Sequence, residues 1–174
     1  SNRIGSQATD FFANAASNIS SHRALLVGVF QNQPLEEILE LQKAYELDIV
    51  QLHGQEPVEW ANLIPVPVIR VFNPTQPGIG KRGYHTVPLL DSLTGGSGKT
   101  LDLTQVSDVL AKGPGLRIML AGGLNADNVA DAVRAVGDYS DRIIGVDTAS
   151  GVEENGVQSV EKIQAFIKAA KSVR

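Results

Sequence analysis

Leu116-Arg-Ile-Met-Leu-Ala-Gly-Gly-Leu-Asn-Ala-Asp-Asn-Val-Ala-Asp-Ala-Val-Arg-Ala-Val136 is the stretch whose reading decides the fold. Leu116 to Leu120 is a short apolar run without regular polar alternation, which predicts a strand covered on both faces. Two glycines break it. Asn125 then offers an N-cap side chain to a segment, Asn125 to Val136, that carries Asp127 in its first turn and repeats Val129, Ala132, Val133 and Val136 at helical spacing. The next apolar run is Arg142 to Val146. Strand, helix and strand in close succession make a βαβ unit, whose strands are parallel and whose crossover is right-handed.

Outward from this unit the pattern repeats. Apolar runs at Ala24 to Phe30, Asp48 to Leu52, Val66 to Val71 and Val87 to Leu90 complete a set of six strands. Pro34 to Tyr45 places Leu35, Ile38, Leu39 and Ala44 or Tyr45 near one helix face, with Pro at the start, where a missing N–H costs nothing. Val160 to Val173 does the same with Ile163, Phe166, Ile167 and Ala170. Weaker helical patterns lie at Ala8 to Ile19, Pro57 to Leu63 and Thr104 to Lys112. The Gly- and Pro-rich stretch Asn73 to Gly83 reads as a surface connection, so residues 1–174 are expected to form a single domain. Periodicity leaves two α/β architectures open, a doubly wound sheet and a closed barrel.

Composition excludes several classes. With 43% apolar and 20% charged residues the chain can bury one sizeable core. A net charge of −4 and a pI near 5.3, with scattered Lys and Arg, give no basic footprint, so no nucleic-acid partner is expected. Runs such as Leu25 to Phe30 and Ile64 to Val71 are too short for a membrane span. The first residues lack a signal-peptide pattern, and a cytoplasmic location is the default expectation. The absence of Cys removes disulfides, thiolate metal sites and a Cys nucleophile from this chain.

In parallel α/β proteins functional groups gather where strands end. The residues there are Gln31-Asn32, His53-Gly54, Phe72-Asn73, Asp91-Ser92, Ala121-Gly122-Gly123 and Asp147. Gly122 and Gly123 before a helix cap are a phosphate signal, because glycines let backbone N–H groups approach an anion. Ser150 and Gly151, in Thr148-Ala-Ser-Gly151, repeat the idea, against the alternative of two tight turns without a ligand. Gly95-Gly-Ser-Gly-Lys-Thr100 ends like a P-loop but fails at the first glycine, where Leu93 stands. It reads as a glycine-rich loop whose Lys99 could reach a substrate anion. Asp91 ends a buried strand and is the candidate general acid, or else caps the next loop. His53 could polarise or bind a substrate, or be a satisfied structural group. Asp147 could hold the last phosphate loop, touch substrate hydroxyls or serve structure. No His or carboxylate pair has metal-ligand spacing, so no metal is expected, and no Gly-x-Ser-x-Gly elbow supports a hydrolase.

Taken together, Val27-Gly-Val-Phe30 with Gln31-Asn32, Val50-Gln-Leu-His-Gly54, Leu89-Leu-Asp-Ser92 with Gly95 to Thr100, Leu120-Ala-Gly-Gly-Leu124 with Asn128-Val129, and Gly145-Val-Asp147 with Ser150-Gly-Val-Glu153 and Asn155-Gly156 resemble the phosphoribosylanthranilate isomerase family over about Ala24 to Lys171. Phe30-Gln-Asn-Gln-Pro34 and Glu153-Glu-Asn-Gly156 look most like the fungal versions, in which this domain can end a multifunctional tryptophan-pathway protein. The resemblance implies a TIM (β/α)₈ barrel of which the six strands here are the third to eighth. It also implies an Amadori rearrangement of a phosphorylated sugar-anthranilate substrate without any cofactor. Asp91 falls on the family's general acid, and Arg3 on the Arg that holds the anthranilate carboxylate. The family's base is a Cys in a Lys-Ile-Cys-Gly-like first strand, and this sequence has neither. At about 25–30 residues per β/α unit, roughly 35 to 45 residues with the first strands would be missing. The chain is then expected to be weakly active or inactive alone, with a complementing N-terminal segment as a possible partner. Ala149 departs from the Ser usual in the family's last phosphate loop. Two other readings stand beside the enzyme: a non-catalytic complementation module, and a doubly wound phosphate-ligand-binding domain.

Overall fold

The computed structural model describes residues 24–92 and 101–173. Arg3, the helical pattern at Ala8 to Ile19 and the loop Gly95 to Thr100 with Lys99 lie outside the described residues.

Each of the six apolar runs contains a strand: β1 (Val27–Phe30), β2 (Ile49–Leu52), β3 (Val68–Phe72), β4 (Val87–Leu90), β5 (Ile118–Leu120) and β6 (Ile143–Val146). The run at Val66 starts two residues late, because Pro67 has no N–H to give to a ladder. The strands lie in chain order, β1-β2-β3-β4-β5-β6, with parallel registers such as Val27 beside Ile49, Val50 beside Val68, Leu89 beside Met119 and Ile118 beside Ile143. This order corrects the doubly wound alternative, which needs a point where the strand sequence reverses.

Burial corrects a second expectation. Strands β2, β3 and β4 are buried at every position, as continuous apolar runs should be. In β1, however, Val27 is 36% and Val29 60% exposed, and in β6 only Ile143 is buried. Both are outer strands of the sheet among the described residues, so each has a neighbour on one side only.

The helices follow their local chemistry. Helix α1 (Leu35–Ala44) starts behind Pro34, with Glu36 and Glu37 in its first turn, Lys43 in its last and Ile38 fully buried. Helix α2 (Leu103–Lys112) is capped by Asp102, whose carboxylate accepts from the N–H groups of Thr104 and Gln105. Helix α3 (Val129–Ala135) is shorter than the periodicity predicts. The Asn125 side chain accepts from the N–H groups of Asp127 (2.9 Å) and Asn128 (3.1 Å), which winds the first residues into a turn instead. Helix α4 (Val160–Lys171) is capped by Ser159. The predicted helix at Pro57 to Leu63 is a 3₁₀ segment, Val58–Asn62. A small antiparallel hairpin, β7 (Glu153–Glu154) and β8 (Val157–Gln158), was not expected. Asn155 and Gly156, with φ of 51° and 78°, form its turn, and Asn-Gly is the dipeptide that favours it.

The described residues pack as two compact units, 24–71 with 78–88, and 72–77 with 89–92 and 101–173. The first has a core of Phe30, Ile38, Leu47, Val50, Leu52, Ala61, Ile64 and Val68, which joins three strands, β1, β2 and β3, to α1 and the 3₁₀ segment. His85 is also buried in this unit, and its Nε2–H donates to the Ile79 carbonyl at 2.6 Å. Burial holds the His85 ring below the ordinary histidine range; the Ile79 bond opposes this and the Arg70 charge adds to it.

The sign follows from linkage. Below the ordinary histidine pKa of about 6.5 the unfolded chain takes up a proton that folded His85 refuses. Stability is therefore full above that pH and falls as pH drops towards the folded value. Urea unfolding between pH 8 and 5 should show this loss in the wild type and a flatter profile in His85→Gln.

Candidate active site at the strand ends

In the second unit one backbone bond recurs. The residue after each strand donates its N–H to the carbonyl that ends the preceding strand: Asp91 to Phe72 (3.0 Å), Ala121 to Leu90 (2.9 Å) and Asp147 to Leu120 (2.8 Å). The ladder thus runs one step past the strands, and Asp91, the Ala121-Gly122 turn and Asp147 leave the sheet at one edge.

Asp91 is half-buried, and its Oδ1 accepts from the Ser92 hydroxyl at 3.2 Å. A Cβ on Gly122 would stand 3.0 Å from that same oxygen, so the carboxylate lies directly against the glycine turn. Gly122 and Gly123 have φ of 94° and 68°, conformations that side-chain-bearing residues adopt at a cost. Asn73 Nδ2 donates to the Ser92 carbonyl at 3.3 Å, which ties the end of β3 to the Asp91 segment.

Two asparagines shape the glycine turn. Asn128 Nδ2 donates to the Gly123 carbonyl at 3.0 Å, while Asn128 Oδ1 accepts from the Asn125 N–H at 2.8 Å. The Thr148 hydroxyl donates to the Leu124 carbonyl at 2.6 Å. Gly151 approaches that carbonyl so closely that a Cβ there would overlap it. The loop after β6 is thereby seated on the loop after β5, with Gly123, Ala149 and Ser150 exposed. The sequence-derived residues Asp91, Gly122, Gly123, Asp147, Ser150 and Gly151 all belong to this unit.

His53 belongs to the first unit, half-buried after β2, and its N–H donates to the Phe30 carbonyl at 2.8 Å. Beside it stands a carboxylate that sequence reasoning missed. Glu56 is 3% exposed and accepts from the N–H groups of Asn32 (2.7 Å) and Gly54 (2.9 Å). Arg70, buried in β3, donates from Nη2 to the Glu56 carbonyl at 2.5 Å. Burial pulls the Arg70 guanidinium below its ordinary range, against the charges of Glu56 and Glu59. Asn73 and Thr148 stand among the strand-end residues read from the sequence, but the bonds from Asn73 Nδ2 to the Ser92 carbonyl and from the Thr148 hydroxyl to the Leu124 carbonyl were not foreseen.

Among the described residues no group of three or more His, Asp or Glu side chains is placed to hold a metal ion, and no helix is long and apolar enough to cross a membrane.

Parallel strands in chain order, each followed by a helix or turn and delivering polar groups at its carboxyl end, define the TIM-barrel class of α/β protein. Residues 3–169 match the model of the family described as N-(5′-phosphoribosyl)anthranilate (PRA) isomerase, and the chain belongs to that family. It is 46% identical over 158 residues to the multifunctional tryptophan biosynthesis protein of Schizosaccharomyces pombe, covering 88% of this chain and 20% of that protein. It is 42% identical over 167 residues to the N-(5′-phosphoribosyl)anthranilate isomerase of Saccharomyces cerevisiae, covering 90% of this chain and 72% of the yeast protein. The phosphoribosyl anthranilate isomerase structure from Thermus thermophilus superposes with a TM-score of 0.72 at 36% identity, over 87% of this chain and 74% of that one. Another, at 32% identity and a TM-score of 0.65 over 86% and 72%, is a complex with reduced 1-(o-carboxyphenylamino)-1-deoxyribulose 5-phosphate.

The seating of one loop on the other is testable by denaturation. Gly151→Ala must displace the Leu124 carbonyl and should cost about 1–3 kcal/mol. Thr148→Val, which removes one hydrogen bond, should cost about 0.5–1.5 kcal/mol.

Proposed function

We propose that this chain carries the acid and the phosphate-holding part of a phosphoribosylanthranilate isomerase site, within one barrel domain, and takes part in tryptophan biosynthesis in the cytoplasm. Asp91 protonates the ribose ring oxygen as the ring of N-(5-phosphoribosyl)anthranilate opens. A base then removes the proton from C2, and the aminoaldose becomes an aminoketose. The chemistry is proton transfer within one molecule and needs no cofactor. Backbone N–H groups at Gly122, Gly123, Ser150 and Gly151 hold the phosphate, which suits turns opened by positive φ. Backbone donors there offset the loss of the hydroxyl at Ala149. Asp147 meets the substrate's hydroxyls. Arg3 is assigned to substrate binding from its position in the family pattern, and His53 from its place just past the end of β2.

The observation that carries this reading is the Asp91 carboxylate set against the Gly122 turn, on the unit whose two loops are locked through Leu124. An acid and a phosphate cradle on one edge are what a ring-opening step on a phosphorylated sugar requires.

The base is assigned to a complementing segment with a Lys-Ile-Cys-Gly-like strand, since this sequence has no Cys. Strands that have one neighbour among the described residues support the assignment. In the first unit β1 exposes Val27 and Val29. In the second, a cavity of about 640 Å³ between β6 and the helices α3 and α4 is lined by Ile143, Val146 and Val133 together with the polar Arg117, Asp141 and Lys171. An exposed apolar strand such as β1 takes up a further strand. If a segment binds there without conferring turnover, the chain is a non-catalytic assembly module instead.

Turnover should be nearly absent in the chain alone and appear when a peptide bearing the Cys strand is added. In that assembly Asp91→Asn should lower kcat about 10²- to 10⁴-fold, while affinity for the reduced product analogue stays within a few fold. Full turnover by the isolated chain would contradict the assignment of the base, and full turnover by Asp91→Asn that of the acid.

A further inference from the structure

Among the described residues the buried carboxylate is that of Glu56, 3% exposed, and the sequence around it gives no reason for a charge to be there. A buried carboxylate persists only where donors replace the lost water. Both donors here are backbone N–H groups, and they come from different segments. Asn32 follows β1 and Gly54 follows β2; their bonds to Oε1 and Oε2 measure 2.7 and 2.9 Å. A third bond, from the Gln55 N–H to Asn32 Oδ1 at 2.7 Å, joins the same segments.

The geometry permits little else. Asn32 is held at a φ of 65°, in the left-handed region, and a Cβ on Gly54 would lie 2.8 Å from the Asn32 nitrogen. Glu56 cannot slide away, since its own carbonyl is bound by Arg70 from β3.

Between these anchors sits His53. Its N–H is fixed on the Phe30 carbonyl and the next N–H, that of Gly54, on Glu56. With the peptide groups on both sides of its Cα held, the direction in which the imidazole leaves the backbone is set. We propose that Glu56 is a positioning residue, whose carboxylate clamps the segments after β1 and β2 and thereby aims His53 at the substrate. This rests on the assignment of His53 to substrate binding made above. Glutamine at this position keeps the size but offers one acceptor oxygen, so one of the two N–H groups would face an amide donor.

The test uses the full chain in two measurements. In the first, NMR follows amide exchange at Asn32 and Gly54 and the ring signals of His53, without ligand. Glu56→Gln should speed exchange at both amides and broaden or shift the ring. Asn32→Gly, which keeps the backbone conformation and removes only the Gln55 bond, should do so to a smaller degree and serves if Glu56→Gln does not fold. Unchanged exchange and an unchanged ring in the folded variants would overturn the proposal. In the second, binding of reduced 1-(o-carboxyphenylamino)-1-deoxyribulose 5-phosphate is measured by calorimetry for wild type, Glu56→Gln, His53→Ala and the double variant. Glu56→Gln should bind roughly tenfold more weakly, and adding it to His53→Ala should change little. Additive losses would mean that Glu56 does not act through His53, which also overturns the proposal. A His53→Ala variant that binds like wild type removes the substrate assignment of His53 alone, and the NMR measurement still decides whether Glu56 orients the ring.

Discussion

The last carbonyl of a parallel strand is satisfied by the first N–H beyond the end of its neighbour, and this constraint organises the second unit of the molecule. Phe72, Leu90 and Leu120 each end a strand and each accept from the residue just past the next one. The donors are Asp91, Ala121 and Asp147, so the ladder itself decides where two carboxylates and a glycine turn leave the sheet. Strand interiors can then be wholly apolar while the polar groups stand at the edge, and stability and chemistry fall on different residues.

What the ladder leaves loose, two loops fix against each other. Gly151 can approach the Leu124 carbonyl because it has no Cβ, and the Thr148 hydroxyl occupies the same oxygen. Gly122 likewise leaves room for the Asp91 carboxylate. Each glycine marks a close approach between neighbouring loops rather than a need for flexibility. In the first unit the equivalent task falls to a buried charge: Glu56 joins the segments after β1 and β2 by accepting two backbone N–H groups.

Much of this was legible before any coordinates, for reasons that differ by element. The six apolar runs gave the strands, since parallel strands covered on both faces need no alternation, and the residues at their ends gave Asp91, Asp147 and the glycine turns. The resemblance of five motifs in register supplied the family. Exposure of Val27 and Val29 is not legible in the residues of β1, which read as covered on both faces, but the strand numbering that the resemblance implies makes β1 and β6 the two outer strands. Helix α3 lost its expected start to hydrogen bonds that the Asn125 side-chain oxygen accepts from the N–H groups of Asp127 and Asn128, which compete with the helix from the cap position. The Asn155-Gly156 hairpin carried a readable signal that strand counting passed over. Glu56 carried none: Glu36 and Glu37 are the same residue type and are exposed. Only the tertiary meeting of Asn32, Gly54 and Arg70 tells Glu56 from them.

The central claim is that a single edge of the second unit holds the phosphate of a sugar ligand beside an acid. The most direct measurement is an NMR titration of the chain with the reduced carboxyphenylamino-deoxyribulose phosphate, read at assigned backbone amides. If that edge holds the phosphate, the largest shifts fall on Gly122, Gly123, Ser150 and Gly151, with Asp91 close behind. Shifts confined to other parts of the chain, with those amides unmoved at saturation, would contradict it.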